Sequence, residues 1–466
     1  MSKPWQRREF LRRTLIAGTA VAAFPGREFL AAPQARPKVV HVHHGRAARW
    51  NRTTGLYRDF VDQAAVNAML DQAVQELKGG GPDIAWGRVF ALSGNEDRRL
   101  SIKISCNNAT DSSDGAGNDI DAIPEPVIAV IGGFLRAGGR VQNVNVYDGT
   151  NTAPTRYIGT WFRNRVQATY PGVLFNAAWP GGGVNCDPST CVTWDPAWGA
   201  NTPPDVKLSG AIVSSDYVVN VPIVKRHGQA NVSLGFKNHF GSIDRCDRLH
   251  SYVFYDTPEG SVLADIMGSP FVSGNPAVVP LWQKTVLTVG DMLFGQPCRN
   301  FDATPRPWKT WGNEWPNCLV VSDDVVAADS VMFDLVESEP PTDGGCGSIQ
   351  SWGRHYLQVA EAKGQGVFEH VVLPSGTRFD PVRMTYAKID YRWVDVWSSG
   401  AALTVTRAAN GAVVLTWDHY FPGPCEVWRA TKKDFSNGTL LGSATTGRYV
   451  DPRPPEPALY RIRFVG

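Results

Sequence analysis

The chain has 466 residues, 43% of them hydrophobic and 19% charged, with a formal net charge of +2. That length allows two or three domains, and the ordinary apolar content excludes a wholly disordered or fibrous chain. A charge so near zero gives no global electrostatic reason to bind nucleic acid.

The N-terminus reads Gln6-Arg7-Arg8-Glu9-Phe10-Leu11-Arg12-Arg13, followed by an apolar run from Leu15 to Phe24. That run is too short to span a bilayer, which takes about 20 residues. A paired arginine ahead of a short apolar stretch resembles a twin-arginine export signal, with Ala31, Ala32 and Ala35 as small residues for cleavage. Residues 1–35 are therefore expected to be a signal peptide and the twin-arginine export machinery a partner. The mature chain is expected to be periplasmic or secreted, with no transmembrane helix. The first 35 residues hold six basic and two acidic residues, so the remainder carries 40 basic against 42 acidic. The mild positive charge belongs to the signal.

Val39 to His43 reads as a strand, and Val61 to Leu77 as a helix. Leu100 to Ser105 alternates as a strand does. Val127, Val130, Ile131, Phe134 and Leu135 form one helical face, with Pro126 in the first turn and Gly138-Gly139 as the stop. Val141 to Tyr147 is the next strand. Val206 to Val213 and Tyr217 to Val221 follow as strands, Val232 to Phe240 as a helical segment, then Lys284 to Val289 and Cys318 to Val321 as strands. Ser322 is placed to cap a helix with Asp323 and Asp324 in its first turn and Ala328, Val331, Met332 and Leu335 on its apolar face. Strand, helix and strand in repeated succession predict an α/β fold, a mostly parallel sheet with flanking helices.

From Ala401 the pattern changes to short strands, at 402–406, 413–417, 425–429 and 460–464, separated by turn residues such as Asn410-Gly411. Trp417 on the second strand and Tyr460 on the last resemble a fibronectin type III module. The expected organisation is a signal at 1–35, an α/β domain at 36–400 and a small C-terminal β-sandwich at 401–466.

In an oxidising compartment the eight cysteines are candidates for disulfides. Cys186-Asp-Pro-Ser-Thr-Cys191 suits a local staple, and Cys298 and Cys318 are a second, weaker pair. No Cys-x-x-Cys occurs, hence no iron–sulfur cluster motif and no zinc ribbon. His41 and His43 share a strand face, as a pair of metal ligands would, although a solvent-facing pair has the same pattern. Trp308, Trp311 and Trp315 suit a sugar-stacking loop or a set of packing anchors.

The densest polar cluster follows the strand at Tyr217–Val221. It contains Lys225, Arg226 and His227, then Asn231, then Lys237, Asn238 and His239. In open α/β sheets ligands bind beyond the carboxyl ends of strands, and a cationic block there suits a carboxylate or phosphate. The run Val-Asn-Val-Pro-Ile-Val-Lys225-Arg-His227, followed by Lys237-Asn238-His-Phe-Gly, resembles the signature of the domain of unknown function 362 family. Lys103-Ile-Ser-Cys-Asn107, the stretch from Gly138-Gly139 to Asp148-Gly149, and Ser322 to Ser330 match further family segments in order. Cys106 and Val325 stand where the family usually has proline, and the ferredoxin segments of many relatives are absent. The resemblance implies an α/β fold and a polar site of unassigned chemistry.

Under that resemblance Lys103, Asn107, Asp148, Lys225, His227, Lys237, Asn238 and Asp329 gather around one cleft, with His239 beside them. His227, Lys225 and Asp329 are the candidates for proton transfer; the others are candidates for ligand binding. Asp148 and Asp329 equally fit turn and helix caps. The expected function is binding of a small anionic or metal-bound ligand, with catalysis open. The alternative is a surface protein using its β-sandwich and tryptophan loop on a glycan or protein partner.

Overall fold

A computed structural model describes residues 36–466 apart from 93, 95, 107–117, 150–157, 176–185, 229, 255–259, 270–278, 298–303, 341–348, 350, 374–378, 397–403, 409–410, 417–424, 433–436, 445–447, 453, 455–457 and 465–466. In chain order the first elements are β1 (Lys38–His43), α1 (Gln63–Lys78), α2 (Pro82–Phe90), β2 (Leu100–Lys103), α3 (Pro124–Arg136), β3 (Val144–Tyr147), α4 (Thr160–Thr169) and β4 (Leu174–Phe175). Next come β5 (Cys186–Cys191), β6 (Lys207–Ser209), α5 (Gly210–Val213), β7 (Tyr217–Asn220), β8 (Ile223–His227), β9 (Asn231–Ser233), α6 (Gly235–Asn238) and α7 (Val262–Gly268). The series continues with α8 (Leu281–Lys284), β10 (Thr285–Gln296), β11 (Cys318–Ser322), α9 (Val325–Ser338), α10 (His355–Ala362) and β12 (Asp390–Asp395).

The main sheet runs β12-β1-β11-β10-β7-β2-β3-β4, with β8 on β10 and β9 on β8. All neighbours along that path are parallel except those of β11, which opposes both β1 and β10. Side chains alternate across the strands, and this splits the core into two layers. Val40, Val42, Leu100, Ile102 and Val146 pack under α1, α2 and α3. Val39, Val218, Val224 and Val320 pack under α7, α9 and α10. The main fold is α/β, helices on both faces of a mostly parallel sheet. Among the described residues no helix is long and apolar enough to cross a membrane.

The remaining strands are β13 (Thr404–Arg407), β14 (Val413–Thr416), β15 (Cys425–Ala430), β16 (Thr439–Ala444), β17 (Arg448–Asp451) and β18 (Leu459–Phe464). They form two antiparallel sheets, β13-β14-β17 and β16-β15-β18. Val413 and Leu415 from one sheet meet Val427 from the other, with Leu441, Tyr449 and Tyr460 around them. Asp451 Oδ2 accepts from Arg429 at 2.8 Å and from the Tyr460 hydroxyl at 2.9 Å, tying the sheets of this small β-sandwich together. Trp417 lies outside the described residues.

Several expectations are corrected. The run 206–213 is not one strand: Ser209 ends β6, and its hydroxyl accepts from Ala211 N at 3.3 Å to start α5. The helical segment expected at 232–240 is divided, because Asn231–Ser233 pairs with β8 as a hairpin before α6 begins. Asp324, not Ser322, caps α9, accepting from Val326 and Ala327. Ser322 is still in β11, where its hydroxyl donates to Lys38 O at 2.7 Å.

Neither cysteine pairing forms, since Cys191 and Cys318 are free thiols. Cys186 and Cys191 stand at opposite ends of β5, in register with Ser209 and Lys207 of β6. Cys318 is buried in β11 with its thiol on Pro316 O, and Cys298 lies outside the described residues. Trp308, Trp311 and Trp315 are packing anchors, at most 6% exposed. The Trp308 and Trp315 indoles donate to Phe294 O and Trp50 O, so none of the three offers a face to a sugar. His41 and His43 are buried against Trp393 and Trp311. Their Nδ1 atoms engage Tyr391 and Asp395, each at 2.8 Å. Burial, helped by His43, lowers His41 to about 3, so that ring is neutral.

Candidate functional site

Strands β7, β2 and β3 lie side by side in parallel, with Lys103 level with Asn220 on one side and Tyr147 on the other. The residues at and just past their carboxyl ends therefore meet. Lys103 Nζ donates to Asp148 Oδ1 at 2.7 Å, and both side chains are 1% exposed. The same ammonium reaches Ile104 O at 2.5 Å and Asn238 Oδ1 at 3.1 Å. Asp148 Oδ2 accepts from Cys106 N at 2.5 Å. A buried ion pair holds only when its remaining donors and acceptors are met, as these are.

Asn238 carries the network onward. Its Nδ2 donates to Asn220 Oδ1 at 2.8 Å, and Asn220 Nδ2 donates to Gly235 O at 2.9 Å. Gly235 N and Phe236 N, at the start of α6, donate to the two oxygens of Asp329 at 2.7 and 3.0 Å. The Tyr356 hydroxyl completes the set on Asp329 Oδ2 at 3.1 Å. Polar contacts thus run from Asp148 to Tyr356 through the interior. Gly241 closes over the ion pair so tightly that a Cβ there would lie 2.2 Å from Asp148 Oδ1.

Burial pushes Asp329 up to about 7, against the pull of its two backbone donors and Tyr356. A carboxyl whose pKa rises on folding favours the fold while protonated, and that contribution is lost as pH climbs from about 4 through about 7. Asp329→Asn should therefore flatten this part of the stability–pH profile, read by urea unfolding across the range. An unchanged slope would remove Asp329 as its source.

The three basic residues of β8 do not act together. Ile223 and Val224 belong to opposite core layers, so Lys225 and Arg226 also point to opposite faces. Arg226 donates to Val336 O and Glu339 O at 3.3 and 2.7 Å, capping the end of α9. Lys225, 6% exposed, acts electrostatically on the Cys106 thiol, as does Lys103, although burial still pushes that thiol well up. A thiol so placed is unreactive.

His227 and Lys237 form a second group. His227 Nδ1 accepts from Ala230 N at 3.0 Å, and its ring stacks on His250 with centroids 6.4 Å apart. Lys237 Nζ sits 3.7 Å above Phe240, which packs edge-on against His250 at 5.3 Å. His239 is fully buried, and burial together with Lys103 lowers it to about 3. It is therefore neutral and adds no positive charge. Its Nδ1 is 2.9 Å from Ser242 Oγ, itself 3.0 Å from the Tyr147 hydroxyl. Its Nε2 has no hydrogen-bond partner among the described residues. Asn107 lies outside the described residues.

A pocket partly open to solvent adjoins both groups. Ala230, Tyr252, Ser261, Trp352, His355 and Tyr356 help to line it, and among the described residues its lining contains no Asp, Glu, Lys or Arg. Ala230 links it to His227 and Tyr356 links it to Asp329. The structure thus joins Lys103, Asp148 and Asn238 directly, brings Asp329 in through α6, and sets His227 and Lys237 apart. Sequence reasoning missed Asn220 and Tyr356. Asn220 stood within the Val-Asn-Val-Pro run, whereas nothing around Tyr356 marked it.

Most of the residues that order this edge fall within one stretch of chain. Residues 123–334 match the family model described as domain of unknown function, DUF362. The DUF362 match opens just before α3 and closes within α9, so it takes in Asp148, Lys225, His227, Lys237, Asn238, His239 and Asp329. Lys103 and Asn107 precede it, and the β-sandwich follows it. Among solved structures, a crystal structure of a protein from Thermotoga maritima is similar at 10% identity and a TM-score of 0.31. The similarity covers 66% of this chain and 62% of that one. No curated protein matches.

Proposed function

We propose that the carboxyl edge of β2, β3 and β7 binds a small anionic ligand. The observation that carries this reading is His239 Nε2, a fully buried ring nitrogen without a hydrogen-bond partner among the described residues, whose ring lies within the field of Lys103. Buried polar atoms are nearly always satisfied, so an exception at this edge supports the reading of a bound group. Lys225 and Lys103 supply charge on the two faces of the same edge, and Asn238 and Asn220 fix its geometry. Binding is the core of the reading; His227 and Asp329 remain the candidates for proton transfer on a bound ligand. The buried tryptophans weigh against the glycan-binding alternative. The proposal includes export, resting on the Arg7-Arg8 signal pattern.

Thermal unfolding with inorganic phosphate and with citrate tests the binding reading, because a ligand that binds only the folded state raises Tm. At a concentration about 100 times its Kd such a ligand stabilises by about 2.7 kcal/mol. Wild type should show the rise with at least one anion, and Lys225→Ala should lose most of it. No rise with either, or an equal rise in Lys225→Ala and His227→Ala, would sink the proposal.

A further inference from the structure

Helix α9 carries Asp334 and Glu337 three positions apart near its end, so both carboxylates share one stretch of its surface. His370, from the segment that follows α10, comes up against them. Its Nδ1 is 2.6 Å from Asp334 Oδ1. Asp334 Oδ2 accepts from the Tyr386 hydroxyl at 2.8 Å and from Val371 N at 3.1 Å. Asp334 is thus an acceptor toward each of these neighbours, which puts the imidazole hydrogen on Nδ1 and leaves a lone pair on Nε2. The position of Arg354 agrees: its NH1, which can only donate, lies 3.0 Å from Nε2. A carboxylate on one ring nitrogen is the arrangement that orients a histidine to bind metal through the other.

Nε2 also faces Glu337, with Oε2 at 3.4 Å. That is long for a hydrogen bond. Two ligands at about 2.0–2.1 Å from a tetrahedral zinc ion stand about 3.3–3.4 Å apart, which is the spacing of this pair. Among the described residues the Glu337 carboxylate is reached only at ion-pair range, by His370 and by Arg354 at 3.7 Å, so its oxygens are available to ligate. One ligand atom from each of Asp334, Glu337 and His370 lies within 4.8 Å of the others.

The guanidinium of Arg354 now holds the place between Nε2 and Glu337. The Arg354 side chain is 25% exposed and that of Glu337 31%, so solvent reaches this end of the group and Arg354 has room to swing out. Arg226, the other arginine acting on Glu337, is committed to the carbonyl oxygens of Val336 and Glu339. We propose that Asp334, Glu337 and His370 form a zinc site in which the ion takes the place of Arg354. His370 Nε2 and Glu337 are the ligands, Asp334 holds the imidazole, and solvent fills the remaining positions. An imidazole nitrogen beside a carboxylate suits zinc, whereas calcium and magnesium favour oxygen ligands alone. Exchanging one cation for another keeps the two carboxylates compensated throughout. Arg354 stands between Gly353 and His355, which line the pocket, so entry of the ion is tied to the shape of that wall.

Calorimetric titration of the whole, chelator-stripped protein with zinc tests the site. Wild type should take up zinc in the presence of excess magnesium, and His370→Ala and Glu337→Gln should each abolish that uptake. Asp334→Asn, which loosens the ring without removing a ligand, should weaken it roughly 10- to 100-fold. Arg354→Ala should tighten it roughly fivefold, the worth of removing one like charge about 4 Å away in water. Cys191→Ser removes an exposed free thiol and should change nothing. Should His370→Ala fail to fold, Glu337→Gln, at the solvent-facing end, carries the same test. No uptake by wild type, uptake that survives in Glu337→Gln, or weaker binding in Arg354→Ala would overturn the proposal. Neither phosphate nor citrate enters this assay, so failure of anion binding at the strand edge leaves its result standing.

Discussion

Lys103→Met should destabilise the protein by about 3–5 kcal/mol, measured by urea unfolding at neutral pH. The substitution keeps the volume of the stem but takes the Lys103 ammonium away from Asp148, a carboxylate with 1% of its side chain exposed. The remaining donor to Asp148 named at this edge, Cys106 N, cannot neutralise it. Asn238 Oδ1 and Ile104 O lose a donor at the same time. Adding Asp148→Asn should recover a substantial part of the loss, because an amide costs far less to bury than an unpaired charge. A single substitution that cost under about 1 kcal/mol would show that water enters this edge freely, and the picture of a dry ion pair would have to be abandoned.

Gly241→Ala should cost about 2–3 kcal/mol for one methyl group. The new carbon would stand 2.2 Å from Asp148 Oδ1 and 2.7 Å from both Cε and Nζ of Lys103. Neither side chain has room to retreat, since Asp148 is held by Cys106 N and Lys103 by Ile104 O. Gly228→Ala is the matched control: it lies past the end of β8, and a Cβ there meets nothing within 4 Å. Equal melting temperatures for the two variants would refute the close approach. A double-mutant cycle with Asp148→Ala should show the two sites coupled, the Gly241 penalty shrinking once the carboxylate is gone.

Much of the main sheet was legible because several strands are β-branched runs ended by turn residues. Val39 to His43 and Cys318 to Val321 fall on β1 and β11 nearly residue for residue. The direction of β11 was not legible. Nothing in Cys318-Leu-Val-Val-Ser322 distinguishes a strand that opposes its neighbours from one that follows them, since strand pairing is a property of the whole chain. Short elements were misread for a related reason. The apolar residues of 206–213 suit a strand or a buried helical turn equally, and burial on all sides erases the period that would separate them.

At the candidate site, residue types were readable and orientation was not. Lys225, Arg226 and His227 look like one charge cluster along the sequence, yet a strand sends neighbours to opposite faces, and Arg226 ends up serving a helix terminus. His239 looks cationic until its surroundings are known; full burial beside Lys103 makes it neutral. Tyr356 is bonded to Asp329 across 27 residues of chain, through a contact no local pattern encodes.

The place of β1 has a consequence for how this protein is made. Residues 38–43 hydrogen-bond to 318–322 on one side and to 390–395 on the other. The first strand of the fold must therefore wait, unpaired, until about 280 and then about 350 further residues have left the ribosome. Contacts of such range close slowly, because the entropy of joining distant chain segments is spent before any pairing compensates it. The nascent chain thus carries an open, valine-rich edge until residues 390–395 emerge. Such an edge invites pairing with other chains, and β12 is the strand that finally covers it.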